Sequence, residues 1–135
     1  IGSDSHVSLS TLEELRWLEY DQRLRDRRRN RITLPNQPSV GDLLWQQAAQ
    51  GGAQACAIAT GELAVGKRAD WLVLENDAFL SSVSSASLLN RWLFGGTQRQ
   101  IRDVFVAGNQ VISEGHHAAE EAAAARFAKA MSALQ

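Results

Sequence analysis

In Gly2-Ser3-Asp4-Ser5-His6 an acid, an imidazole and two hydroxyls crowd into five residues. A carboxylate just after a strand end can ligate a metal or serve as general base, which makes Asp4 the residue best suited to chemistry. Ser5 and His6 are neighbours that can orient it. The plain alternative is an Asx turn or helix-entry loop, since Ser, Asp and Gly are favoured there in any case. His116 and His117 are consecutive, so their side chains point different ways; surface positions are expected rather than a shared metal. No His-x-His or Cys-x-x-Cys spacing is present, and a catalytic zinc takes about three protein ligands, of which this sequence offers one candidate. The expectation is that these residues alone hold no complete metal site.

Other clusters weigh less. Arg23, Arg25, Arg27, Arg28, Arg29 and Arg31 would suggest RNA in a basic protein, but between Thr11 and Arg31 seven basic residues meet five acidic ones, for a net charge of +2. No exposed aromatics alternate with the arginines as a stacking platform, so a solvated or salt-bridged helix face is expected. Gly61 to Asp70 contains glycines and Lys67 but lacks the Gly-Lys-Ser/Thr ending and preceding strand of a phosphate loop, and reads as a turn. Cys56, within Ala55-Cys56-Ala57-Ile58, reads as a small buried thiol in a reducing compartment.

The elements that must position these residues follow from spacing. Ser10 with Glu13, or Thr11 with Glu14, forms a capping-box signature before an apolar repeat, which predicts a helix over residues 11–28. Residues 30–38 hold both prolines and read as an extended connection. Ser39 caps a second helix over residues 40–50, ended by Gly51-Gly52, with a further short helix over 53–59. Trp71-Leu72-Val73-Leu74 reads as a buried strand. Residues 104–107 and 110–113 flank Gly108-Asn109 and predict a hairpin with a type II′ turn. A helix over 87–94 stops at Gly95-Gly96, and an alanine-rich helix covers about 117–134.

Length and composition bound the rest. With 135 residues there is room for one ordinary domain, and a complete eight-fold barrel of about 250 residues is excluded. A net charge of −1 gives no global pull towards nucleic acid or an anionic membrane. No stretch approaches the roughly 18 apolar residues of a membrane span. The opening Ile1-Gly2-Ser3-Asp4 has neither an initiator Met nor a signal-peptide pattern, and reads as an internal cut through a longer protein.

The order of the weak signals is more telling than any one of them. Gly51-Gly52-Ala53, then Gly61-Glu62-Leu63-Ala64-Val65-Gly66-Lys67-Arg68-Ala69-Asp70-Trp71-Leu72-Val73-Leu74, then Asp103-Val104-Phe105-Val106-Ala107-Gly108-Asn109-Gln110-Val111-Ile112 resembles the C-terminal region of the amidohydrolase superfamily. The resemblance implies an α/β chain that is the C-terminal fragment of a metal-dependent (β/α)8 barrel, with part of a composite β-sandwich and a C-terminal helix. Residues 1–60 would be the last strand and following helices of the barrel. Residues 61–115 would be the C-terminal sandwich strands with a helical insertion, and 116–135 the C-terminal helix. Gly2-Ser3-Asp4 would end the eighth barrel strand, with Asp4 both a metal ligand and the catalytic proton carrier.

A narrower resemblance runs from Asp4-Ser5-His6-Val7-Ser8-Leu9-Ser10 through Leu12-Glu13-Glu14-Leu15-Arg16-Trp17-Leu18-Glu19-Tyr20 to Asn30, and is to the deiminase branch of that superfamily. It implies zinc-dependent hydrolysis of the C=N bond of N-formimidoyl-L-glutamate, giving N-formyl-L-glutamate and ammonia in histidine degradation. The residues present would be inactive alone and fold poorly without the barrel wall. The expected partners are a small-molecule substrate, the rest of the chain's own barrel domain and, in a homodimer, a second copy; nucleic acid and membrane are not expected. The expected compartment is the cytoplasm. The competing readings are another amidohydrolase, such as a guanine or cytosine deaminase or a chlorohydrolase-like enzyme, a non-catalytic packing module, and an arginine-rich RNA binder.

Overall fold

In the computed structural model, which describes residues 1–134, the expected first helix starts where its cap places it. The Ser10 hydroxyl accepts the Glu13 N–H at 3.4 Å and opens α1 (Thr11–Asp26), which ends with Arg27 in the left-handed region. Leu12 and Leu15 are fully buried, whereas Trp17, Leu18 and Leu24 from the same broad apolar face remain exposed. Ser39 opens α2 (Val40–Ala55) in the same manner, its hydroxyl accepting the Asp42 N–H at 3.3 Å.

Two expectations fail at the far end of α2. The helix runs through Gly51-Gly52 instead of stopping there, so the separate helix over 53–59 does not form. Each glycine costs a helix only about 1 kcal/mol. The buried Ala53, followed by an Ile58 N–H bonded to its carbonyl, sets the end later. Cys56 consequently caps the helix and is exposed, not buried.

Beyond this lie β1 (Trp71–Leu74), α3 (Ala78–Ser81), α4 (Ser85–Gly95), a 3-10 turn (Gln98–Gln100), β2 (Ile101–Val106), β3 (Asn109–Ser113), β4 (His116–His117) and α5 (Glu120–Ser132). The strands form one antiparallel sheet in the order β1-β2-β3-β4, with α3 and α4 inserted between β1 and β2. The hairpin is present but its turn sits one residue earlier than expected. Val106 pairs with Asn109, leaving Ala107 and Gly108 as the two loop residues, both with positive φ as in a type I′ turn. Val111 is the extra residue of a bulge, because Val104 pairs with Ile112 while Phe105 pairs with Gln110.

The core is shared by helices and sheet. Leu12, Leu15, Val40, Leu44, Leu80, Trp92 and Leu93 form its buried centre, with Leu72, Leu74 and Ile101 packed on it from the strands. Gly41 allows α2 to lie against α4: a Cβ there would come within 2.7 Å of the Asn90 backbone nitrogen. Asn90 bridges the same junction, its amide oxygen accepting the Gly41 N–H and its amide nitrogen donating to Ser39 Oγ, both at 2.7 Å. The alanine-rich helix forms as expected but stands clear of the core, with no buried residue and with Phe127 and Met131 exposed. Gln135, the last residue of the expected C-terminal unit, lies outside the described residues.

Candidate functional site

The Gly2-Ser3-Asp4 stretch, expected at the end of a barrel strand, pairs with no strand among the described residues. Asp4 and Ser5 instead occupy a turn, closed by the His6 N–H donating to the Ser3 carbonyl at 2.6 Å. Asp4 has φ of 41°, a left-handed conformation that non-glycine residues seldom adopt and Asp tolerates better than most. Its side chain is exposed, and among the described residues it takes part in no hydrogen bond or ion pair.

Glu13, Asp21, Asp42, Glu75, Glu114 and Glu121 share that lack of a side-chain partner among the described residues, whereas several other acids are bonded into the fold. Glu19 on α1 is fully buried and accepts the Arg31 N–H at 3.0 Å, the Ile32 N–H at 2.9 Å and Arg23 Nε at 2.7 Å. Burial pushes its carboxyl up, but the Arg23 guanidinium and the two backbone donors outweigh that and hold it below the ordinary glutamate value. Asp26 is held well below the carboxylate range by Arg25 and then Arg31. Asp70 receives the Thr60 hydroxyl at 2.5 Å, Arg68 Nε at 2.7 Å and the Ala107 N–H at 2.8 Å, and is lowered to about 2, chiefly by the Thr60 hydrogen bond. Asp103 is held low by the Glu114 N–H and Arg102. These four carboxylates are committed to structure, and Asp4 is among the acids that are not.

The arginine run is partly built into the fold. The Arg23 guanidinium lies 4.9 Å from the Phe94 ring centre and 5.3 Å from that of Tyr20, a cation–π arrangement over both faces. Arg16, outside the run, donates to the carbonyls of Leu93 and Gly96 and so satisfies the end of α4. Arg25 and Arg31 share Asp26, and Arg27, Arg28 and Arg29 are exposed. The roles of Glu19 and Asp70 escape sequence reasoning. Glu19 to Arg23 at i,i+4 was a usable signal, but the backbone donors of Arg31 and Ile32 come from a loop whose path only the fold determines.

His116 and His117 form the edge strand β4, with His116 Nδ1 2.7 Å from Glu120 Oε1, a contact that raises the imidazole's proton affinity. Among the described residues no group of three or more His, Cys, Asp or Glu side chains is gathered in reach of one metal ion. The donor chemistry of Asp4, an exposed carboxylate oxygen, suits one place in a divalent-metal set. A groove of about 780 Å³ opens elsewhere, between α2, α4 and the sheet, lined by Trp45, Leu72, Leu74, Leu89, Trp92 and Val104. Its polar lining is Asp70 with Arg68 and Thr60, bonded to one another, Glu62, paired with Lys67 at 3.2 Å, and Gln46 and Gln50. No helix among the described residues is long and apolar enough to cross a membrane.

No family model matches this chain. In fold it is similar to part of an amidohydrolase: a crystal structure of an amidohydrolase from Brucella melitensis superposes with a TM-score of 0.84 at 32% identity, over 99% of this chain and 29% of that one. The expected likeness to that class is therefore borne out. In sequence it is 57% identical over 135 residues to formimidoylglutamate deiminase of Pseudomonas aeruginosa, which covers 99% of this chain and 30% of the relative. The chain thus spans less than a third of either protein.

Proposed function

We propose that this chain is the C-terminal part of a zinc-dependent deiminase that hydrolyses the C=N bond of N-formimidoyl-L-glutamate. The observation that carries the reading is an uncommitted carboxylate, Asp4, in a chain 57% identical over nearly all its length to a formimidoylglutamate deiminase. Water adds to the formimidoyl carbon, and the C–N bond to the terminal nitrogen breaks. Ammonia leaves, and N-formyl-L-glutamate remains. Asp4 accepts the two protons of the attacking water one after the other and delivers each to the departing nitrogen, the carboxylate role such a hydrolysis needs.

Asp4 would also supply one oxygen ligand to a zinc ion, with the remaining ligands on parts of the longer protein outside these residues. A bound zinc supplies water that ionises near neutral pH. The partners in this reading are the substrate, the rest of the barrel domain and a second copy in a homodimer, and the setting is histidine degradation in the cytoplasm. The apolar groove between α2, α4 and the sheet is surface that the rest of the protein would cover.

The test is product analysis with the full-length protein. N-formimidoyl-L-glutamate is expected to yield N-formyl-L-glutamate and ammonia, with guanine and cytosine left untouched. Turnover of guanine or cytosine instead favours a different deaminating amidohydrolase, a reading that the likeness to the Brucella amidohydrolase supports equally well. No turnover of any of the three favours a packing module.

A further inference from the structure

The turn that carries Asp4 meets α1 through Glu14. This residue, one turn into the helix, has a carboxylate oxygen shut away from solvent with no hydrogen-bond donor among the described residues. Enclosed charge without a donor is costly, and such a group in a native structure calls for a reason. The side chain nearest that oxygen across the turn is His6, whose Nδ1 lies 3.4 Å away. The same ring nitrogen lies 3.2 Å from the Ser8 carbonyl, to which it donates when protonated, and 3.3 Å from the Ser8 N–H, from which it accepts in the other tautomer, so either form ties the ring to the backbone beside Glu14. The backbone of His6 closes the turn, donating to Ser3, and Asp4 sits inside that turn with its positive φ.

We propose that Glu14 and His6 are positioning residues for Asp4: the helix fixes Glu14, Glu14 holds the His6 ring, and His6 holds the Ser3–His6 turn so that the Asp4 carboxylate keeps one direction. For what Asp4 does, this rests on the deiminase reading; for how Asp4 is held, it rests on the geometry alone. A competing role for Glu14 is simply its charge in the first turn of α1, where an acid favours the helix dipole. Glu13 carries the same charge in the same turn and forms no contact with His6, so it separates the two roles.

The experiment uses the full-length protein in five forms: wild type, Glu14→Ala, Glu14→Gln, His6→Ala and Glu13→Ala. Amide hydrogen exchange over residues 3–8 is followed alongside bound-metal content and the kcat and KM for N-formimidoyl-L-glutamate. Glu14→Ala and His6→Ala are expected to speed exchange in that segment alone, and to lower kcat about 10- to 100-fold with KM nearly unchanged, as displacing a reacting group does. Glu14→Gln, which keeps an oxygen in place, recovers most of both, and Glu13→Ala behaves as wild type. Wild-type exchange over residues 3–8 in Glu14→Ala and His6→Ala overturns the proposal, as does an equal effect from Glu13→Ala. If the wild-type protein releases no ammonia, the deiminase reading fails by itself, and the exchange measurement still decides whether Glu14 and His6 hold the Asp4 turn.

Discussion

The carboxylate of Asp70 accepts the backbone N–H of Ala107 at 2.8 Å, joining the residue before β1 to the turn between β2 and β3 across 37 positions of sequence. The Gly108 N–H returns the link by donating to the Ala69 carbonyl at 2.7 Å. An alanine in the left-handed region is unfavourable by itself, and these two bonds hold it there.

That link has an acid signature. The Thr60 hydroxyl first, then the Ala107 N–H and Arg68, lower the Asp70 carboxyl from 3.8 to about 2. A carboxyl lowered on folding stabilises the fold above its unfolded value and stops doing so as pH falls through the folded one. Urea midpoints of wild type and Asp70→Asn should therefore differ at neutral pH, with the variant weaker, and converge between about pH 4 and pH 2. A gap that stays constant across that window would remove the assigned role.

Glu19 makes a larger demand on the fold. Truncation in Glu19→Ala leaves the Arg31 and Ile32 N–H groups and Arg23 without their acceptor, at a cost of about 3 kcal/mol. Glu19→Gln keeps an acceptor and should cost less. Denaturant unfolding of the full-length protein reads both, and an Ala variant as stable as wild type would contradict the burial and bonding described. The Glu19 carboxyl is also held low, so the same difference should shrink as pH falls below the ordinary glutamate value.

At the α2–α4 junction, Gly41→Ala should destabilise by about 1–3 kcal/mol, because the added methyl meets backbone and not a movable side chain. Gly51→Ala, whose Cβ would meet nothing within 4 Å, should instead stabilise α2 by up to about 1 kcal/mol. Thermal melting of the pair measures the contrast directly, and equal effects would mean that the helices do not approach as described.

The helices and the sheet were readable where a local signal agreed with the packing. Ser10 and Ser39 announced α1 and α2, and the apolar run Trp71 to Leu74 announced β1. Misreadings arose where a distant contact outweighed local propensity. Gly51-Gly52 looked like a helix end, yet the anchor at Ala53 carries α2 past it and turns Cys56 outward. Gly108-Asn109 looked like the hairpin turn, yet Asp70 and Ala69 draw the turn back to Ala107-Gly108. Asp4 stood out in the sequence by its neighbours, but the link from Glu14 to His6 did not, because it depends on how the turn folds back on α1.

The measurement that bears most directly on the central claim is ammonia release from N-formimidoyl-L-glutamate by the full-length protein, wild type against Asp4→Asn. Removing a carboxylate that moves a proton in the reaction should cost about 10²- to 10⁴-fold in rate, with the variant folded and melting as wild type does. Wild-type turnover by Asp4→Asn, or no ammonia from the wild-type protein, would contradict the account.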